Sequence, residues 1–369
     1  MILSLMELRN FRKHINTNLK FSEGLNYIVG GNGIGKTTVL EAVYLLCSTK
    51  SFYAKDNEML NFNSSEFEVK GLFNGITSDK VRIYYNSIDG KKYYFLNDKI
   101  ITRSADVIGK FPVVTLTPDD HSITQGAPSE RRRFVDSVIS QASKAYLKIL
   151  IDYNKTLKHR AVVLSKLSER IIPSLLDELD AWTENLINNG SEIILHRKNF
   201  IEKFNEYIKH SYFRIMGTEE IPSIKYQTID INGNESIKAK MTELLKEQRE
   251  NEIRRGTNLI GPHRDDFVFE INGINLKTFG SQGQNKTFQT VLRFAEFFYL
   301  KDITGNTPIF LLDDVFGELD AFRAAKVSEY LKEVGQAFIT LTDFANFNYL
   351  SKAESDLIIK LQDGEPVYA

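Results

Sequence analysis

Hydrophobic and polar positions divide the chain into stretches of different period. Residues 2 to 9 alternate, with Ile2, Leu3, Leu5 and Leu8 apolar, and read as a strand. A second short strand is expected near Asn18 to Phe21, and Leu25 to Val29 is an uninterrupted apolar run. Thr38 to Leu46 carries a helical pattern. Residues 67 to 73, 80 to 86 and 92 to 97 are rich in Val, Ile, Tyr and Phe, and Asp89-Gly90 between the last two is a tight-hairpin signal. These predict an antiparallel meander.

After Pro128 the period changes. From Ser129 to about Leu167 apolar residues recur at three- and four-residue steps (Val135, Val138, Ala142, Ala145, Ile149, Tyr153, Leu157, Ala161, Leu164), which predicts one long amphipathic helix. Pro173 interrupts it. A second helix then carries Leu179, Leu186, Ile193, Phe200 and Tyr207 at a strict spacing of seven, with Ile187, Ile194, Ile201 and Ile208 as a parallel column. That spacing predicts helices packed lengthwise, as in a short coiled coil, and core packing is its ordinary meaning. From Leu259 the α/β character returns. Ile309 to Leu312 and Ala337 to Leu341 have the pattern of buried parallel strands. The expected fold class is α/β, with residues 1–128 and 251–369 forming a split nucleotide domain and 129–250 an inserted helical lobe.

Composition narrows the class. With 369 residues, 42% hydrophobic and 26% charged, the chain reads as a soluble globular protein long enough for more than one lobe. A net charge of −1 gives no global support for nucleic-acid binding, so any DNA contact must come from local patches. The single cysteine, Cys47, falls on the predicted helix after Val29, reads as a buried inert thiol, and suits a reducing cytosol. Met1 to Glu7 lacks the basic and apolar regions of a signal peptide, and no apolar run reaches the roughly 18 residues of a membrane span.

Candidate chemistry centres on Gly30-Gly31-Asn32-Gly33-Ile34-Gly35-Lys36-Thr37, with Thr38 opening the helix behind it. A strand, a glycine-rich turn ending in Gly-Lys-Thr and a helix together make the context of a P-loop. Glycines let backbone N–H groups converge on phosphate oxygens, and the helix N-terminus adds its positive end. Lys36 can reach the β- and γ-phosphates, and the Thr37 hydroxyl can ligate Mg²⁺. The bland alternative is a glycine turn beside a buried lysine, which the flanking strand and helix disfavour. Asp313-Asp314 ends the apolar run 309–312, where a P-loop enzyme holds its metal; Asp313 is assigned to Mg²⁺ and Asp314 to the attacking water. Ser281-Gln282-Gly283-Gln284 opens the helical run Lys286 to Leu300 and would make a second anion-binding helix end, although by themselves these four residues read more readily as an N-cap and turn.

The order of P-loop, helical insert, Ser-Gln-Gly-Gln, Asp-Asp and Glu318-Leu319-Asp320 resembles the ATP-binding-cassette ATPases of the SMC type. Further stretches resemble the RecF family of bacterial recombination proteins. They are Leu8-Arg9-Asn10-Phe11-Arg12-Lys13-His14, Pro118-Asp119, Gly126-Ala127-Pro128-Ser129-Glu130-Arg131-Arg132-Arg133-Phe134-Val135-Asp136 and Gly261-Pro262-His263-Arg264-Asp265-Asp266.

The resemblance implies an ATPase head with an antiparallel β subdomain, ATP and Mg²⁺ as cofactors, and Lys36 and Asp314 as catalytic residues. Ser281, Gly283 and Gln284 would belong to a signature motif that contacts the γ-phosphate held by a second copy, making an ATP-dependent homodimer, with Asp320 at that interface. Most cassette ATPases carry Glu where this chain has Asp314, so slow turnover is expected. The usual switch histidine is replaced by Thr342-Asp343, and Thr342 is the candidate γ-phosphate sensor. The family role implied is recombinational repair and replication-fork maintenance in the cytoplasm. It comprises binding of single-stranded and gapped duplex DNA, weak DNA-stimulated ATP hydrolysis, and loading of RecA with RecR and RecO in support of the SOS response. No membrane partner is implied. Arg131 to Arg133, Lys158-His159-Arg160, Arg254-Arg255 and His263-Arg264 are candidate DNA contacts, with solvated or internally paired faces as the alternative. A transport ATPase subunit would keep its nucleotide motifs closer together, and a small-molecule kinase would need no Ser-Gln-Gly-Gln element.

Overall fold

A computed structural model describes residues 1–217, 220–230, 236–343, 353–362 and 365–368, the side chain of Glu318 excepted. The chain divides into two compact units. The first comprises Met1–His121, His210–Glu219 and Gln282–Ala369, and the second Ser122–Lys209 and Glu220–Ser281.

The first unit begins with β1 (Ile2–Phe11), which turns at Arg12 into β2 (His14–Lys20). β3 (Leu25–Val29) leads through the glycine-rich loop into α1 (Lys36–Ser48). Next come β4 (Glu66–Asn74), β5 (Asp79–Asn86), β6 (Lys91–Leu96), β7 (Lys99–Ile101) and β8 (Val113–Leu116). After α2 (His121–Gln125) the second unit contributes α3 (Pro128–Ala142), α4 (Lys144–Glu169), α5 (Pro173–Met216, whose end from His210 belongs to the first unit), β9 (Pro222–Gln227), α6 (Ile237–Arg255), β10 (Asp266–Ile271), β11 (Ile274–Asn275) and α7 (Leu276–Phe279). The chain then re-enters the first unit as α8 (Gln282–Thr304), β12 (Ile309–Leu312), α9 (Ala321–Leu331), β13 (Ala337–Leu341), β14 (Leu357–Gln362) and β15 (Glu365–Tyr368).

Two six-stranded sheets build the first unit. One is the expected meander, ordered β2-β1-β4-β5-β6-β7 and antiparallel throughout. The other runs β15-β14-β3-β13-β12-β8, parallel except for β15 at its edge. Every residue of β3, β12 and β13 is buried, as continuous apolar runs in a parallel sheet require. One core holds both sheets together. Val39, Leu40, Val43 and Leu46 of α1 pack with Leu3, Met6, Phe67 and Val69 of the meander and with Ile28, Leu311 and Phe338 of the parallel sheet. A helix apolar on nearly every side can occupy such a place and no exposed one. Cys47 sits in this core, 1% exposed, and burial raises its thiol pKa, so the residue is an inert core side chain.

The second unit corrects two expectations. The periodicity from 129 to 167 belongs to two helices, α3 and α4, separated at Ser143. That residue is extended (φ −142°, ψ 109°), and its side chain accepts the Tyr146 N–H as N-cap of α4. A polar cap thus breaks what the apolar spacing makes look continuous. The lobe also reaches to Ser281, beyond the expected boundary at 250, because β10 pairs antiparallel with β9 and β11 and keeps 251–281 with the helices. The seven-residue columns of α5 are buried as expected except at half-buried Tyr207: Leu186, Ile193, Ile194 and Ile208 are all 0% exposed.

Three helices meet around one ion pair. The Arg160 guanidinium of α4, 1% exposed, donates to Glu252 Oε2 of α6 at 2.5 Å, to Asn258 Oδ1 at 2.7 Å and to Thr183 Oγ1 of α5 at 3.0 Å. Glu252 is wholly buried and has no other cation in reach among the described residues. Arg160→Ala is therefore expected to destabilise the second unit by about 3–5 kcal/mol, as removing one partner of a buried pair does. Denaturant unfolding of the variant measures it, and a loss under about 1 kcal/mol would show the pair to be solvated.

Candidate functional site

The glycine-rich loop is shaped by two close approaches. Gly33 and Gly35 have φ of 75° and 110°, and a Cβ on Gly35 would lie 2.9 Å from His14 Nε2. His14 is fully buried beneath the loop, with its Nδ1 3.1 Å from Thr17 Oγ1. Lys13 Nζ donates to the Gly33 carbonyl at 2.5 Å, and Arg12 Nη2 donates to the buried Glu41 of α1 at 2.9 Å. The β1–β2 turn therefore clamps the loop and its helix.

Lys36, 8% exposed, donates to the Gly30 and Gly31 carbonyls at 2.6 and 2.9 Å. Burial lowers its pKa, while Asp314 and Asp313 act to raise it. The Thr37 hydroxyl donates to Asp313 Oδ1 at 3.0 Å. Asp313 ends β12 with 5% exposure, and burial raises its pKa against the hydrogen bonds from Thr340 and Thr37. Asp314 is exposed and takes a left-handed conformation, φ 52°, which Asp tolerates better than most residues.

A cavity of about 720 Å³ opens over these groups. Of the residues assigned from the sequence, Asn32, Gly33, Gly35, Lys36, Thr37, Thr38, Asp313 and Asp314 line it. Gly30, Gly31 and Ile34 do not: the first two present carbonyls to Lys36, and the Ile34 side chain packs on Gly30, where a Cβ would come within 3.0 Å. The lining fits a magnesium nucleotide. Thr37 and Asp313 offer a hydroxyl and a carboxylate, the hard oxygen donors Mg²⁺ prefers, and further ligands would come from phosphate and water. Among the described residues no group of three His, Cys, Asp or Glu side chains could hold a metal alone.

Several lining residues escaped the sequence analysis. Thr340, in the apolar run of β13, donates to Asp313 Oδ1 at 2.9 Å and accepts the Asp314 N–H at 2.8 Å. Thr342, the expected sensor, is exposed and is not among the cavity's lining residues. The far wall is the segment 57–64, whose polar sequence has no period to betray it. Asn61 pins it to the β1–β2 turn, donating to Arg12 O at 2.7 Å from its side chain and to Asn10 O at 2.9 Å from its N–H. Phe62 stands fully exposed at this rim, a flat apolar face of the kind on which a nucleobase stacks.

The Ser-Gln-Gly-Gln stretch lies elsewhere. Ser281 is exposed, α8 starts at Gln282, and neither Gly283 nor Gln284 lines the cavity. Gly283 lies against the Arg323 guanidinium, about 3.4 Å from where its Cβ would be, and Arg323 in turn pairs with Asp320, the N-cap of α9. Gly283 and Asp320 thus share one neighbour on a surface apart from the cavity lining.

The basic clusters divide between inside and outside. Arg131, 5% exposed, clamps Asp266 with two hydrogen bonds of 2.7 and 2.9 Å, and Arg132 donates to Asp265 O at 2.6 Å. Arg160 is internal, and Arg264 donates to Asn258 O at 2.8 Å. His263 Nδ1 lies 2.7 Å from Tyr153 Oη, and burial lowers the ring's pKa to about 4. Arg133, Lys158, Arg254 and Arg255 remain exposed.

The family model "RecF/RecN/SMC N terminal domain" matches residues 2–363. Curated relatives carrying the name DNA replication and repair protein RecF include one from Chloroherpeton thalassium, 39% identical with 93% of this chain and 95% of that protein covered. Another, from Salinibacter ruber, is 37% identical over 96% of this chain and 88% of its own. The chain belongs to the RecF family. A solved structure of the recombination mediator protein RecF-ATP in the RecFOR pathway superposes with a TM-score of 0.89 at 30% identity, covering 100% of this chain and 97% of that one. The Smc head domain of Pyrococcus furiosus, bound to the C-terminal domain of ScpA, gives a TM-score of 0.57 at 16% identity over 100% and 95% of the two chains, which marks a shared ATPase-head fold.

Thr340→Val, close in shape, removes both hydrogen bonds from the Asp313–Asp314 turn. Magnesium-dependent ATP affinity is expected to fall roughly tenfold, as for the loss of about 1–2 kcal/mol of buried hydrogen bonding. ATP titrations with Mg²⁺ and with a chelator check this: equal losses in both would show that Thr340 serves the fold alone.

Proposed function

We propose that this chain is an ATP-dependent DNA-binding protein of recombinational repair and replication-fork maintenance, in which nucleotide binding brings two copies together. The observation that carries the reading is the separation of two half-sites. Lys36, Thr37, Asp313 and Asp314 converge on one cavity, whereas Gly283 and Asp320 share a surface outside its lining. An anion-seeking helix start without a role in its own cavity suits a phosphate presented by a second copy.

On this reading Gly30 to Thr38 cradle the triphosphate, with Lys36 directed to its β- and γ-phosphates. Thr37 and Asp313 hold Mg²⁺, which supplies neutralisation of the phosphate charge when bound. Asp314 orients the attacking water by accepting its proton, and being one methylene shorter than Glu it does so less closely, which makes turnover slow. Ser281, Gly283 and Gln284 of the second copy complete the site. The membership of the family supports the wider role: binding to single-stranded and gapped duplex DNA in the cytoplasm, weak DNA-stimulated ATPase activity, and action with RecR and RecO in loading RecA, in support of the SOS response. Among the described residues no helix is long and apolar enough to cross a membrane.

Sedimentation with and without ATP tests the composite site, with a dimer expected only in ATP; a monomer in both states would sink it. Lys36→Ala is expected to abolish that dimer and weaken ATP binding. Asp314→Asn is expected to bind ATP normally but to trap the dimer, and normal turnover would remove Asp314 from catalysis. Ser281→Arg is expected to leave ATP binding intact and yield only monomer.

A further inference from the structure

Cations in the second unit divide between inside and outside, with Arg133, Arg170, Arg254 and Arg255 exposed. Arg131, Arg132, Arg160 and Arg197 point inward onto carboxylates or carbonyls. The lysines of α4 point outward: Lys144, Lys148, Lys155, Lys158 and Lys166 are all exposed. At about 100° per residue these five fall within an arc of roughly 80° on the helix, and from 144 to 166 they run about 33 Å along it. Among the described residues none of them makes an ion pair. Asp152 and Glu169 are the only acidic residues of the helix; Asp152 falls outside the lysine arc and Glu169 within it, at the last turn. The opening turns of α5 carry the opposite sign, with Asp177, Glu178, Asp180 and Glu184 and no basic residue before Glu192. A face evolved only for solubility mixes its signs; here five lysines share an arc with one carboxylate, in a chain whose net charge is −1.

The basic surface continues past the helix. A Cβ on Gly256 would come within 3.2 Å of Ser168 Oγ, which sets the last turn of α6, with exposed Arg254 and Arg255, beside the end of α4 near Lys166 and Arg170. Free rings are missing from this face. Tyr146 and Tyr153 are buried, and His159 is already stacked on Trp182 with centroids 4.6 Å apart and planes 4° from parallel. Single-strand grooves hold bases by stacking them on aromatic side chains, which this face does not offer. Lysines over a length close to one duplex turn of about 34 Å are suited to phosphates of a double helix.

We propose that the exposed face of α4, extended by Arg254 and Arg255, docks the phosphate backbone of duplex DNA without reading its bases. The proposal rests on the DNA-binding function above and names the surface that carries it. The test is a salt titration of duplex binding by the full chain in the presence of ATP, comparing it with Lys155→Gln/Lys158→Gln/Lys166→Gln. All three side chains are exposed, so the fold and ATP affinity of the variant should be unchanged.

Three lost phosphate contacts should lower the slope of log affinity against log salt by about 2.7, so that the unaltered chain's advantage shrinks about 40-fold between 50 and 200 mM salt. The matching triple Lys→Arg variant should keep the original slope. An unchanged slope and affinity in the Gln variant, with the unaltered chain still binding duplex, would overturn the α4 surface and leave the DNA-binding function standing. Weakening confined to single strands would overturn the duplex assignment. Failure of the unaltered chain to bind DNA at low salt would overturn both.

Discussion

Everything in the first unit converges on the buried carboxylate of Asp313. It ends β12, receives hydroxyl hydrogen bonds from Thr37 at the start of α1 and from Thr340 in β13, and so ties together three elements that are distant in sequence. Burial works against its charge, and hydroxyl donors offset only part of that cost. An apolar residue would be cheaper for stability. A carboxylate held in one place by the hydroxyls of Thr37, Thr340 and Tyr53 instead fits a magnesium nucleotide, and the parallel sheet is its frame, with β12 and β13 adjacent and in register.

The loop opposite Asp313 is controlled from a place the P-loop pattern does not contain. Lys13, His14 and Arg12 come from the turn between the first two strands of the antiparallel sheet, and they hold the Gly33 carbonyl, the space beneath Gly35 and Glu41 of α1. The meander is therefore no appendage to the nucleotide domain. Its β1–β2 turn lines the cavity with Arg12 and Lys13, holds the glycine-rich loop and pins the 57–64 wall, with α1 as the core shared by the two sheets.

In the second unit several arginines work inside the fold. Arg197 reaches Asp136 with two hydrogen bonds of 3.0 and 2.9 Å and Pro262 O at 2.7 Å, and Arg131 clamps Asp266 in the same forked geometry. A planar guanidinium can satisfy several acceptors at once in a dry interior, while an ammonium keeps its water and stays outside. The two arginine-bearing stretches that mark the family in sequence thus prove to be largely one structure, α3 fastened to the loop before β10. Their basic character says little about DNA.

The elements most visible in the sequence were those whose information is local. Apolar runs and glycine spacing marked β3, the loop, α1, β12 and β13, because a buried parallel strand and a phosphate-binding turn each demand particular residue types at consecutive positions. The heptad columns of α5 were legible for the same reason. Local periodicity could not show the break at Ser143, where one hydroxyl accepting the Tyr146 N–H ends one helix register and starts another. Nor could it assign 251–281 to the helical unit, since that depends on β10 finding β9 across the whole of α6. Thr340 and the 57–64 wall were hidden because their roles come from partners outside their own stretch: Asn61 is held by Arg12, 49 residues earlier, and Thr340 reaches Asp313 from the adjacent strand. The arginine clusters show the limit most plainly: sequence determined that the charges exist, and only tertiary packing, by placing carboxylates around some and leaving others at the surface, decided which of them are buried.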